Sequence, residues 1–217
     1  MSQSINRGGG EEVTRNVKAR LCATSPCVGH FASMIPVSLD RLPHELDRTQ
    51  FTCQAIVEAP AGSRVKVYYD PDSHRFRIGK FLPLGMAFPL DFAFVPSTLA
   101  GDGDPVDLLI LPEASLSVGS IVKVRILGVL EAHQFKPNKR PRRNDRIIAR
   151  LVESRLFAKV QQLDQLGEVF VKELGAFFET YKRLRGQTYE ILAVGDHERA
   201  ADLIEEGSAA YAAEAAE

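Results

Sequence analysis

The sequence predicts an α+β protein in which a β-barrel core carries two helices near the C-terminus. From residue 51 onward the chain is built of short segments of β-forming residues, and turn residues separate one segment from the next. Helical periodicity is present only after residue 163. A run of strands followed by helices is typical of the α+β class, in which the helices pack on one side of the sheet.

The predicted strands follow one another with short connections. The second and third are joined by the turn Asp70–Ser73, which predicts a hairpin. Proline-containing segments around Phe88 and Val95 predict further short strands and loops. The run Val106–Leu111 is apolar at nearly every position, as in a strand buried on both faces. The predicted strands cover residues 51–58, 65–69, 75–82, 106–111, 121–130 and 146–152, and the predicted helices cover 163–183 and 200–216.

Residues 1–48 differ in character from the rest of the chain. They begin with polar and glycine-rich sequence and show no sustained periodicity. We predict that they form a disordered or loosely attached extension, and that the domain covers residues 49–217. Because the composition changes along this stretch, Met34 is an alternative to Met1 as the native start.

Composition excludes several classes of protein. The 217 residues include 27 Lys and Arg against 28 Asp and Glu, a formal net charge of −1, and this balance argues against a general nucleic-acid binder. No apolar run approaches the roughly 20 residues of a membrane helix. The 3 cysteines are too few for a disulfide scaffold, and the first residues lack the apolar stretch of a secretory signal. We expect a soluble, cytoplasmic protein without a membrane partner.

The acidic segment Gly101–Leu108 is the most informative part of the sequence. It places Asp102, Asp104 and Asp107 directly before and at the start of the apolar strand, with a glycine and a proline between them. Such a loop can bend so that several carboxylate oxygens converge. Mg²⁺ prefers oxygen ligands and is usually held by one or two carboxylates together with substrate phosphates. The segment therefore indicates a magnesium site, and an acidic surface turn is the alternative.

The six residues Asp102-Gly103-Asp104-Pro105-Val106-Asp107 resemble the signature of the soluble family I inorganic pyrophosphatases, Asp-x-Asp-Pro-hydrophobic-Asp. The resemblance extends over about residues 51–205 and implies a five-stranded OB-like barrel flanked by helices. It also implies Mg²⁺-dependent hydrolysis of inorganic pyrophosphate by a protein that forms homo-oligomers. Further segments that agree in order and approximate spacing are 57–61, 65–66, 86–89, 92–94, 118–130, 144–145 and 177–182.

The resemblance also implies roles for individual side chains. Two or more Mg²⁺ ions would be held by Asp102, Asp107, Asp145 and Glu58. Asp104 would act on the attacking water, as general base or by orienting it. Phosphate oxygens would be bound by Lys66, Lys80, Tyr181 and Lys182. Taken singly, each of these residues has an ordinary alternative, such as a solvated strand lysine, an outward-facing glutamate or a helix end.

Several positions depart from the family pattern, and they cluster at the expected site. This chain has Tyr68 where the family has an acidic residue, Lys80 in place of an arginine, and Phe88 and Phe92 in place of two tyrosines. It has Gln134 and Phe135 in place of an acidic pair, and Ile147 in place of a lysine. Gln134 is a poorer Mg²⁺ ligand than a carboxylate, so we expect one metal position to be weakened or lost. The alternative function is a weak or inactive relative that binds a phosphorylated metabolite or hydrolyses another small phosphoanhydride.

A basic run at residues 136–143 holds five Lys and Arg side chains. A solvated hairpin loop is the ordinary interpretation of such a run. The alternatives are an anion-binding lid over the active site or a contact to nucleic acid. No aromatic residue lies within the run, which argues against the stacking of single-stranded bases.

Overall fold

The computed structural model describes residues 38–216. Most of the predicted N-terminal extension, including Met34, lies outside the described residues. Two short 3-10 turns cover Leu39–Arg41 and Leu163–Leu166. The helices are α1 (Gly167–Arg183) and α2 (His197–Glu214). The strands are β1 (Thr52–Ala59), β2 (Val65–Asp70), β3 (Arg75–Phe81), β4 (Asp91–Phe94), β5 (Asp107–Ile110), β6 (Ile121–Phe135), β7 (Arg142–Arg143), β8 (Arg146–Leu151) and β9 (Thr188–Asp196).

Five strands of the larger sheet pair in a ring. The pairs are β1–β4, β4–β5, β5–β8, β8–β6 and β6–β1, so the path returns to its first strand. The β5–β8 pair is parallel and the others are antiparallel. Strands β7 and β9 pair with β6 outside this ring, and β2 and β3 form the predicted hairpin as a separate sheet. The mixed sheet with two helices agrees with the predicted α+β class.

Strand β5 is buried on both faces, as its apolar sequence predicts. Leu108 and Ile110 belong to a core cluster that includes residues of α2, whereas Leu109 belongs to a second cluster that includes residues of α1. Successive side chains of a strand point to opposite faces, so one short strand contributes to both cores. Asp107, the first residue of β5, is thereby fixed at the end of a buried strand.

Helix α2 holds the acidic loop in place. Gly207 faces this loop closely, since a Cβ atom at that position would lie 2.9 Å from Val106 Cγ2. The carbonyl of Gly207 also accepts a hydrogen bond from the Leu99 amide, at 2.9 Å. The helix begins at His197 rather than the predicted residue 200 because the Asp196 side chain accepts a hydrogen bond from the Arg199 amide and caps it.

Residues 38–48, the last part of the predicted extension, contact the rest of the fold. Arg48 forms ion pairs with three carboxylates of α2, and His44 lies 3.2 Å from the Ser208 hydroxyl. Ser38 lies within hydrogen-bonding distance of the Tyr69 hydroxyl, at 2.9 Å. The folded part of the chain therefore includes residues that precede the first strand. Within residues 38–216, no helix combines the length and the apolar character that a membrane crossing requires.

Candidate active site

The acidic loop opens into a small, highly charged cavity of about 240 Å³. Three carboxylates of the predicted signature line it, and five basic side chains from other elements face them. Two amide side chains complete the wall. The lining residues are Lys66, Lys80, Asp102, Asp104, Asp107, Gln134, Arg142, Asn144, Arg146 and Lys182. The fold thus brings together the three signature aspartates and three of the four predicted phosphate-binding residues.

Asp107 lines this cavity and contacts two of its cations. One of its oxygens forms an ion pair with Arg146, and the other lies 3.9 Å from Lys66 Nζ. The Arg146 side chain is only 4% exposed, so this pair is buried. Strand pairing explains the contact, because β5 runs parallel to β8 with Leu108 opposite Ile147. The residues one position earlier, Asp107 and Arg146, therefore begin the two strands side by side.

Glu58 adjoins a larger cavity of about 630 Å³, which also includes Lys66, Lys80, Asp104 and Asp107 in its wall. Its carboxylate lies 3.8 Å from Lys66 Nζ and accepts a hydrogen bond from the Tyr69 amide, at 3.4 Å. Burial raises the pKa of Glu58 to about 7, and the charge of Asp107 adds to this shift while Lys66 opposes it. Glu58 is therefore placed next to the acidic loop, as the resemblance implies.

Of the two residues before β8, Asn144 lines the small cavity and Asp145 does not. Asn144 lines the cavity and donates a hydrogen bond from Nδ2 to Asp102. Asp145 instead accepts hydrogen bonds from the Ala132 amide (2.9 Å) and from Arg143 (Nη2 to Oδ2, 2.9 Å). It lines a different cavity, beside α2. Consecutive residues that enter a strand point to opposite sides, so only one of this pair can face Asp102.

The same shift of one residue applies to the basic position that follows. The sequence comparison placed Ile147 where the family has a lysine, but Ile147 is fully buried in the core. Arg146 is the cation that faces the cavity, and it was missed as a candidate. The charge of this position is therefore retained, although sequence reasoning counted it as lost.

Lys182 reaches the cavity from the end of α1 and donates a hydrogen bond to Gln134 Oε1. Burial lowers the pKa of Lys182 to about 6, and the charges of Arg146, Lys80 and Lys66 add to the shift. Tyr181 does not line this cavity. Its ring stacks on Phe177 with centroids 6.2 Å apart, and its hydroxyl is buried without a hydrogen-bond partner among the described residues.

Three aromatic residues that depart from the family pattern, Phe88, Phe92 and Tyr68, do not line the small cavity. Phe88 and Phe92 are buried, and Lys66 Nζ lies 3.8 Å from the centroid of the Phe92 ring, within cation–π range. Tyr68 lines the larger cavity. That cavity also contains Arg185, which sequence reasoning missed because it lies beyond the end of α1.

The cavity combines groups for two ligands of opposite charge. Its lysines and arginines suit phosphate oxygens. Burial raises the pKa of Asp102, and the nearby charge of Asp107 adds to this shift, so a bound cation would relieve the repulsion. The Oδ1 atom of Asn144 is buried without a partner within residues 38–216 and is a further oxygen donor. In that same range no three Asp, Glu, His or Cys side chains form a ready-made metal-binding group.

Asp145→Asn tests the one-residue shift. Because Asp145 is paired with Arg143 and does not line the cavity that the three signature aspartates share, we expect turnover of pyrophosphate to remain within about twofold of wild type. The free energy of unfolding should fall by about 1 kcal/mol or less, because the ion pair with Arg143 is partly exposed. Steady-state phosphate release and urea unfolding measure the two effects. A loss of turnover of a hundredfold or more would show that Asp145 does contribute to the metal site.

Comparisons with known proteins show the family. The family model described as inorganic pyrophosphatase matches residues 55–212. The inorganic pyrophosphatase of Thermus thermophilus is 33% identical over 141 residues, which cover 65% of this chain and 78% of that protein. The Halalkalibacterium halodurans protein of the same name is 32% identical over 158 residues, covering 73% and 94%.

Solved structures give the same result. The crystal structure of the Thermus thermophilus inorganic pyrophosphatase superposes with a TM-score of 0.72 and 31% identity, covering 80% of this chain and 98% of that one. A Coxiella burnetii inorganic pyrophosphatase superposes with a TM-score of 0.68 and 28% identity, covering 75% and 96%. The chain therefore belongs to the inorganic pyrophosphatase family.

Proposed function

We propose that this protein hydrolyses inorganic pyrophosphate to two phosphates in a Mg²⁺-dependent reaction. The observation that carries the proposal is the cavity in which Asp102, Asp104 and Asp107 face five basic side chains. Pyrophosphate needs both halves of such a site, because its negative charge must be neutralised while a water molecule attacks phosphorus. The names of the relatives support the same substrate.

The donor set fits a hard divalent cation. We propose that Asp102 and Asp107 hold Mg²⁺, with Asn144 Oδ1 as an additional oxygen donor and Glu58 at the adjoining cavity. When bound, Mg²⁺ would lower the pKa of a coordinated water and neutralise charge on the phosphate oxygens. Gln134 and Asn144 are amides, so we expect weaker metal binding than a site with carboxylates at both positions would have.

The remaining residues bind the substrate and move the proton. Lys66, Lys80, Arg146 and Lys182 are placed to hold phosphate oxygens, and the low pKa of Lys182 would rise when an anion enters the cavity. Asp104 is exposed and forms no ion pair among the described residues, so its carboxylate is free to accept a proton from the attacking water. Cleavage of the bridging P–O bond then leaves two phosphates.

We further propose that the ring of five strands is the OB-like barrel of this family. Its support is the path of strand pairs, which closes from β6 back to β1. We also propose a cytoplasmic homo-oligomer. Three apolar side chains at and just after β3 are strongly exposed, Ile78, Phe81 and Leu84, and exposed apolar surface favours burial against another copy.

A second candidate is a protein on the same fold that binds pyrophosphate or a phosphorylated metabolite without fast turnover. The ion pair between Asp107 and Arg146 favours it, because the central carboxylate already has a cationic partner without metal. Gln134 and Asn144 are neutral amides and poorer Mg²⁺ ligands than carboxylates, which also favours this second candidate.

Phosphate release from pyrophosphate tests the proposal. We expect release only in the presence of Mg²⁺ from the wild-type chain, and loss of it in Asp107→Asn, which keeps the shape of the side chain. If the wild-type chain released no more phosphate than this variant, the proposed hydrolysis would be wrong. The second candidate, a binding protein, would remain, and calorimetry with pyrophosphate would test it.

A further inference from the structure

The basic run forms a defined hairpin at one end of the site. Strands β6 and β7 pair antiparallel, with Gln134 opposite Arg142. At its tip the Lys139 amide donates to the Lys136 carbonyl at 3.0 Å, and Asn138 has φ 62° after a proline, as in a type II turn. Its basic side chains are therefore held by a structured turn.

Beneath this hairpin lies a cavity of about 510 Å³ whose charged lining residues are all basic. Two glutamines and one phenylalanine complete it. Arg143, the next residue in the chain, forms ion pairs with Glu131 and Asp145. The four basic residues of the cavity form no ion pair within residues 38–216, so their charges are available to a ligand. The lining residues are Gln134, Phe135, Lys136, Lys139, Arg140, Arg142 and Gln187.

The hairpin cavity adjoins the active site. Gln134 and Arg142 line both cavities, so the two meet at this cross-strand pair. Gln134 is held between Lys182 and Gln187 by hydrogen bonds to both side chains. A phosphate chain that begins among Lys66, Arg146 and Lys182 can continue past Arg142 without meeting a carboxylate of the hairpin cavity.

We propose that the hairpin cavity is a subsite for the third and later phosphates of a linear phosphate chain. The inference rests on the proposed function, since the first two phosphates occupy the pyrophosphate site. Lys136, Lys139 and Arg140 are cations beyond those of the pyrophosphate cavity, and a longer chain carries more negative charge to meet them. The ligand class is therefore a chain of three or more phosphates, either free or as a nucleoside triphosphate.

Equilibrium binding tests this subsite separately from turnover. Pyrophosphate, tripolyphosphate and ATP are titrated into the full chain by calorimetry, in EDTA and at low ionic strength, so that hydrolysis does not interfere. We expect tripolyphosphate to bind about tenfold more tightly than pyrophosphate. The triple variant Lys136→Gln, Lys139→Gln, Arg140→Gln should lose about tenfold in tripolyphosphate affinity and keep that for pyrophosphate, because each exposed charge contributes a modest share.

A charge-matched control separates the subsite from net charge. Lys123→Gln, Lys159→Gln and Lys172→Gln together remove the same charge from exposed positions outside both cavities. Unchanged tripolyphosphate affinity in the hairpin variant, or an equal loss in the control, would overturn the proposal. ATP binding that falls with the hairpin variant would extend the ligand to nucleotides, and ATP binding that does not would restrict it to free polyphosphate. Failure of pyrophosphate to bind both in EDTA and with Mg²⁺ present would count against the proposed function instead.

Discussion

Asp104→Asn is expected to lower the turnover of pyrophosphate by about 10²- to 10⁴-fold, the usual contribution of general acid–base catalysis. The variant keeps the size of the side chain and removes its ability to accept a proton. Because Asp104 is exposed and unpaired among the described residues, the free energy of unfolding should change by about 0.5 kcal/mol or less. Phosphate release at saturating substrate and Mg²⁺, together with urea unfolding, measures both quantities.

Asp164→Asn is the matched control for this experiment. Asp164 is also exposed, and it lies in the 3-10 turn before α1, outside the active-site cavity. Its substitution should leave both turnover and stability near wild type. Turnover of Asp104→Asn within a few fold of this control would show that Asp104 is not the base. A large loss of stability in Asp104→Asn would show instead that its role is structural.

Asp107→Ala is expected to have the largest effect on stability. It leaves the Arg146 guanidinium buried without its carboxylate, and breaking a buried ion pair from one side costs about 3–5 kcal/mol. The nearby Lys66 also loses one of its two carboxylate neighbours. The free energy of unfolding from urea titration measures the loss. By contrast, Glu168→Ala should cost about 1 kcal/mol or less, because its ion pair with Lys172 is exposed.

A double-mutant cycle shows whether the cost arises from the ion pair. Arg146→Met removes the buried charge, so Asp107→Ala combined with Arg146→Met should be clearly less destabilised than the sum of the single variants. Additive effects would mean that the two residues contribute independently. In that case the ion pair would not explain the stability of this end of the sheet.

Sequence reasoning succeeded where one short segment contains its own evidence. The acidic signature and strand β5 are contiguous, and in the structure the three aspartates of the signature line the cavity while the apolar residues of β5 enter the core. The hairpin of β2 and β3 was predicted because Asp70–Ser73 is a strong turn sequence. Strand β9 was not predicted. Polar and apolar residues alternate only over residues 188–191, and most of the later side chains are exposed, so the alternation is too short to predict the strand.

The site was predicted less completely because parts of it depend on strand pairing. Asn144 and Arg146 line the cavity, whereas the resemblance pointed to their neighbours Asp145 and Ile147, because the sequence before β8 does not reveal which side chain faces the cavity. The parallel pairing of β5 with β8 decides this, and it places Arg146 beside Asp107. The basic hairpin similarly became a candidate subsite only when its cross-strand pair Gln134–Arg142 connected it to the cavity.

The dependence of phosphate release on Mg²⁺ concentration, in wild type and in Asp102→Asn, tests most directly that the acidic loop is a metal site. The account predicts no release without Mg²⁺. It also predicts a half-saturating Mg²⁺ concentration at least about tenfold higher in the variant, because a carboxylate ligand becomes an amide. Release without Mg²⁺, or the same Mg²⁺ dependence in both proteins, would contradict it.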